Sequence, residues 1–103
     1  MKKAVQDKEH LVSLLRANSP KIRSYGVSNL SIFGSFVSGK LRADSDIDFL
    51  VEFDPKKKNF DNFMDLSFYL EDLLGRKVEI ITTQSLNKYI GPYIQKQAEH
   101  VVL

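Results

Sequence analysis

Asp46 and Asp48 stand one residue apart at the head of an apolar run, Ile47-Asp48-Phe49-Leu50-Val51-Glu52-Phe53, and Gly34-Ser35 closes an earlier run that ends in Ile32-Phe33. In a strand, residues i and i+2 face the same side. Asp46 and Asp48 then project together, while Ile47, Phe49, Val51 and Phe53 fill the opposite side. Neighbouring carboxylates repel one another unless a cation sits between them. A hard divalent ion such as Mg2+ takes carboxylate oxygens. Gly34 lets the backbone approach a ligand closely, and Ser35 offers a hydroxyl and an amide at a helix start, where anions bind. Together these residues suit chemistry on a nucleoside triphosphate, which needs a phosphate cradle, charge-neutralising metals and a group that activates the acceptor. Glu79, on a third apolar segment, is the candidate to complete a two-metal site, as a ligand or as the base that takes the acceptor's proton.

The elements that must position these residues follow from periodicity and stop signals. Apolar spacing predicts a helix from about Ala4 to Ala17, with Ala4, Val5, Leu11, Val12 and Leu15 inward, stopped by Asn18-Ser19-Pro20. A short helical piece from Pro20 to Tyr25 ends at Gly26. Val27 to Phe33 is predicted as a strand with Leu30 and Ile32 on one face and Asn29 and Ser31 on the other. Gly34-Ser35 opens a turn and a short helix to Ser38, and the polar stretch from Gly39 to Ser45 is a loop. Asp46 to Phe53 is the second strand, ended by Asp54-Pro55. Phe60 to Leu74 is a long helix with Phe63, Leu66, Leu70 and Leu73 inward, stopped by Gly75. Lys77 to Thr82 is a third strand, with Glu79 and Ile81 on one face and Val78 and Ile80 on the other. The tail from Ser85 to Gln97 is predicted as helical pieces broken at Gly91-Pro92, and His100 to Leu103 as an apolar end packing on the body. The fold class is α/β (α+β), a small mixed sheet flanked by helices. If the third strand lies beside the second, Glu79 faces the aspartates; the register is not legible.

The chain has 103 residues, enough for one domain over 1–103 with one core, and 43% hydrophobic residues exclude global disorder. A net charge of +2 does not by itself argue for nucleic acid. The absence of cysteine excludes disulfides, thiolate zinc sites and a cysteine nucleophile, and fits a reducing cytoplasm. No apolar run reaches the ~20 residues of a membrane span, and the charged start after Met1-Lys2-Lys3 does not resemble a signal peptide.

Ile32-Phe33-Gly34-Ser35 and Ser45-Asp46-Ile47-Asp48-Phe49-Leu50-Val51, at this spacing and on two predicted strands, resemble the nucleotidyltransferase superfamily typified by DNA polymerase β, and most of all its minimal single-domain (MNT) members. The resemblance implies a nucleotidyltransferase-like fold and a transfer in which a hydroxyl attacks the α-phosphorus of ATP, or another NTP, and pyrophosphate leaves. It implies Asp46, Asp48 and Glu79 as catalytic metal ligands for one or two Mg2+ ions, with Gly34 and Ser35 on the nucleotide. It further implies a helical HEPN-type partner, a toxin–antitoxin pairing, and AMP transfer to a tyrosine of that partner. The sequence departs from the family pattern twice. Ser38 stands where an arginine often reaches a phosphate, leaving Lys40 or Arg42 as candidates to replace it. Glu79 stands where the third carboxylate is usually aspartate.

Plainer roles compete for several residues. Gly34-Ser35 alone would be an ordinary turn with a serine cap, and Asp44, Ser45 and Asp46 favour turns in their own right. Asp48 resists that account, since aspartate is disfavoured inside an apolar strand. Lys56-Lys57-Lys58 fits a solvated loop, His10 and His100 have no neighbouring ligand pattern, and Tyr89 and Tyr93 fit packing roles. Of Phe60, Phe63 and Phe68, some belong to the core and the rest suit a partner surface. The alternative function is a non-catalytic nucleotide-binding or partner-occluding antitoxin module. A nucleic-acid binder rests only on the lysine run, and homo- or hetero-oligomers are both open.

Overall fold

A computed structural model describes residues 4–38, 46–86 and 91–103. Its elements are α1 (Lys8–Ala17), α2 (Ser19–Ser24), β1 (Val27–Phe33), α3 (Ser35–Ser38), β2 (Ile47–Phe53), α4 (Phe60–Leu74), β3 (Val78–Thr82), a 3-10 turn (Thr83–Ser85), α5 (Gly91–Gln97) and β4 (Glu99–Val101). The strands form one sheet in the order β3-β2-β1-β4. β1 pairs antiparallel with both β2 and β4, whereas β2 and β3 are parallel and joined through α4.

One face of the sheet meets the helices. Leu30, Ile32, Ile47, Phe49, Val51, Phe53 and Val101 pack there against Leu11 and Leu15 of α1, Ile22 of α2 and Leu66, Leu70 and Leu74 of α4. A bulge between Val27 and Asn29 inserts one residue into β1. Without it, alternation would turn Val27 to the side of Asn29 and Ser31; with it, Val27 joins Leu30 and Ile32 in the core. The remaining face carries Ser31, Phe33, Asp48, Leu50, Glu52, Glu79 and Ile81 by the same alternation.

Local chemistry explains the boundaries. The Asp7 side chain accepts from the His10 amide at 2.8 Å, so α1 starts at Lys8, four residues later than its apolar pattern suggests. Val5 is buried ahead of the helix instead, where its amide donates to the Leu74 carbonyl at 2.9 Å. Asn59 caps α4 by accepting from the Asn62 amide at 2.8 Å, and Gly75 ends it in the left-handed conformation at φ 68°. The inward residues of α4 are Leu66, Leu70 and Leu74, with Phe63 and Leu73 half-buried beside them.

Towards the C-terminus one sequence expectation needs correction, the packing of Tyr93. Gly91-Pro92 begins α5, the helical piece expected after that point, since proline in a first helical turn forgoes a hydrogen bond that the helix does not need there. The apolar end packs on the body as expected, and it does so as a fourth strand, because β1 has a free edge that Glu99–Val101 satisfies. Tyr93 is 65% exposed rather than packed, and Phe60 and Phe68 are exposed at 75% and 60%. Lys56, Lys57 and Lys58 are solvated as expected. Tyr89 and Asp44 lie outside the described residues.

Buried Arg76 ties distant parts together. Its Nε donates to the Val5 carbonyl at 2.5 Å and its guanidinium lies 5.4 Å from the centre of the Phe36 ring on α3. The N-terminal segment, the end of α4 and the turn after β1 thus share one anchor.

Candidate active site

Strand register assembles the site. Antiparallel pairing sets Asp48 opposite Phe33, the residue before Gly34, and parallel pairing sets it opposite Glu79. Glu79 therefore faces the same side as Asp48, in the arrangement that the sequence left open. Burial first, then the Glu79 and Asp46 charges, then a hydrogen bond with Glu79, raise the Asp48 carboxyl from 3.8 to about 6. Glu79 itself is exposed, toward the sheet edge.

Gly34 joins the two halves of the motif physically. Its φ is +80°, a conformation that side-chain-bearing residues rarely adopt, and a Cβ there would be driven into the Asp48 carboxylate. The turn and the carboxylate pair touch because the residue between them has no side chain. The Val37 amide donates to the Gly34 carbonyl at 3.0 Å, which closes the first turn of α3.

Asp46 is exposed and precedes β2 rather than opening it, since β2 begins at Ile47. The Ile47 amide donates to the Lys77 carbonyl at 3.0 Å, so this end of β2 is fixed against β3. Ser35 begins α3, but its side chain, that of Ser38, and the whole of Lys40 and Arg42 lie outside the described residues. Sequence reasoning missed Lys96. A cavity of about 350 Å³ beside Gly34 is lined by Gly34, Val37, Lys96 and Gln97. No local signal marks Lys96, because only the folding of α5 back toward the turn brings it there. Another cavity, of about 270 Å³ and more apolar, lies at the far ends of β2 and β3, lined by Phe53, Lys58, Asn59, Phe60, Phe63 and Thr82. It holds no carboxylate and is five residues along β2 from Asp48, about 17 Å.

The donor chemistry fits a hard divalent cation. All candidate ligands are carboxylates, and burial, followed by the neighbouring Glu79 and Asp46 charges, disfavours the ionised Asp48 that such an ion would stabilise. Among the described residues, no three His, Cys, Asp or Glu side chains form a group that could hold a metal ion. Asp48 and Glu79 are the paired carboxylates, with Asp46 at the margin.

A family model for polymerase beta nucleotidyltransferases matches residues 5–102. The chain belongs to this family. As a nucleotidyltransferase it is 34% identical over 94 residues to the protein adenylyltransferase MntA of Thermococcus cleftensis, covering 90% of this chain and 94% of that one. A solved minimal nucleotidyltransferase superposes with a TM-score of 0.81 at 28% identity, covering 93% of this chain and 97% of the other. The fold also matches, at 19% identity and a TM-score of 0.58, a structure of a tri-AMPylated HEPN toxin in complex with an MNT antitoxin from Shewanella oneidensis, over 92% of this chain and 68% of that chain. Among the described residues, no helix is long and apolar enough to cross a membrane.

Proposed function

We propose that this nucleotidyltransferase moves AMP from ATP onto a tyrosine hydroxyl of a HEPN-type helical partner, and so acts as the antitoxin of a toxin–antitoxin pair in the cytoplasm. One observation carries the chemistry: Asp48 and Glu79 are paired in register, with the Gly34 backbone against the Asp48 carboxylate. The adenylyltransferase relative supports AMP transfer to a protein, and the AMPylated HEPN toxin supports the partner class.

Asp48 and Glu79 would hold Mg2+, with Asp46 joining them from the margin once the ion is bound, and the ion would neutralise charge developing on the transferring phosphoryl group. Gly34 and the start of α3 receive the phosphates, because a Cβ-free turn brings backbone amides close to an anion. Glu79, the exposed member of the pair, takes the proton of the attacking hydroxyl. The hydroxyl oxygen bonds to the α-phosphorus, the bond to the bridging oxygen of the β-phosphate breaks, and pyrophosphate departs. Exposed Phe60 and Phe68 on α4 offer apolar area of the kind that protein partners cover.

The test is co-expression with the helical protein of a neighbouring gene, followed by mass spectrometry. Wild type should add one or more AMP groups to a partner tyrosine, and Asp46→Ala or Asp48→Ala should abolish the addition. AMP addition that survives both changes would refute the assignment. The serine at position 38 favours a second reading, a module that silences its partner by occlusion. That reading prevails if the double aspartate variant still silences the partner while wild type transfers nothing.

A further inference from the structure

The cavity between the Gly34 turn and the last turn of α5 has a volume of about 350 Å³, within the ~300–1,000 Å³ usual for small-ligand pockets. It borders the carboxylate pair directly, since Gly34 lines it and also abuts Asp48. Among the described residues, its one charged lining residue is Lys96. The acidic residue nearest in sequence, Glu99, is held by Lys8 at 2.9 Å, and among the described residues Lys96 makes no ion pair. The helix that presents it is fixed: Ile94 is buried, and a Cβ on Gly91 would meet the Leu86 Cβ at 3.2 Å. An exposed cation on a fixed backbone thus stands on the Gly34 side of Asp48, away from Glu79.

We propose that this cavity receives the non-transferred phosphates of the nucleoside triphosphate and that Lys96 binds them, taking the place of the arginine missing at Ser38. The inference rests on the nucleotidyltransferase reading of the site. Lysine is a point charge without the bidentate fork of arginine, so it binds the ground and transition states alike. Its loss then raises KM more than it lowers kcat. The competing role is structural, since a lysine in the last turn of a helix also complements the negative end of the helix dipole. That role predicts a small loss of stability and no change in nucleotide binding.

The experiment is calorimetric titration of the whole chain with ATP, AMP and adenosine in the presence of Mg2+, for wild type, Lys96→Gln and Lys96→Arg. Lys96→Gln should weaken ATP about tenfold, as for one charge-assisted contact in a part-solvated site, and leave adenosine unchanged. Lys96→Arg should restore most of the affinity. ATP binding by Lys96→Gln equal to wild type overturns the inference alone. A wild-type chain that binds no ATP removes the nucleotidyltransferase reading and this inference with it. Gln97→Glu, which puts a negative charge in the same cavity, is an independent check in case Lys96→Gln folds poorly. It should weaken ATP as well, and unaltered affinity in this variant also counts against the proposal.

Discussion

The Asp48 carboxyl titrates near 6 in the folded chain and near 3.8 when unfolded, so protonation and stability are linked. The folded state holds the proton more tightly, so this group favours folding most below about pH 4 and that contribution is lost as pH rises through about 6. Above that, Asp48 is a stability cost that a bound cation would relieve. Asp48→Asn should therefore raise the melting temperature of the metal-free chain at pH 7.5 by about 5–10 °C, from about 1–2 kcal/mol after discounting for partial exposure. The gain should vanish at pH 4, and nucleotidyl transfer should be lost throughout. A Tm difference that is the same at both pH values rules out this linkage. Gly34→Ala meets both a left-handed backbone and the Asp48 carboxylate. It should cost at least about 1–2 kcal/mol by denaturant melt and impair ATP binding. At this scale the sequence was informative: the spacing of Gly34, Asp46 and Asp48 identifies three of the clustered residues, because motif chemistry is local. Glu79 was legible as a face but not as a neighbour, since pairing partners are set by register. Lys96 was invisible, because a residue fifty positions from Asp46 joins the site only through tertiary packing.

Among the elements, α4 does the most positioning. It spans the sheet between parallel β2 and β3, and its cap decides where it begins. Asn59→Ala removes the bond to the Asn62 amide at 2.8 Å and should lower stability by about 1 kcal/mol in urea melts. The change should leave ATP affinity intact, because the cap lies at the end of α4 away from Asp48. A loss of affinity out of proportion to stability would show that α4 reaches the site by another route. β1, α4 and β3 were legible because alternation, helical spacing and glycine stops agree in them. α1 was overextended because Val5 is apolar for a different reason, its docking against the end of α4. α5 was legible from Gly91-Pro92, since proline suits a first helical turn, and buried Ile94 fixes the helix that follows.

The molecule as a whole sets α1, α2 and α4 over one sheet face and the carboxylates on the other. Arg76 links the layers to the turn, through Val5 on one side and Phe36 on the other. Arg76→Leu leaves the Val5 carbonyl without this donor and should cost about 2–3 kcal/mol. It should also loosen the turn after Gly34, read as faster amide exchange across α3 than across α1. Equal acceleration in both helices would mean that Arg76 supports the fold generally and not the turn.

The parallel pairing of β2 with β3 also shapes how the chain folds. These strands meet only after the intervening segment, α4 included, has closed, and such non-local pairing forms late and slowly. Repulsion between Asp48 and Glu79 is therefore largely absent from the folding transition state and is felt once the native sheet has formed. In stopped-flow chevrons of the metal-free chain at neutral pH, relieving it with Asp48→Asn should slow unfolding and leave refolding nearly unchanged. The cost of bringing these two carboxylates together is then stored behind the folding barrier, where it shortens the native lifetime without hindering the chain on its way there.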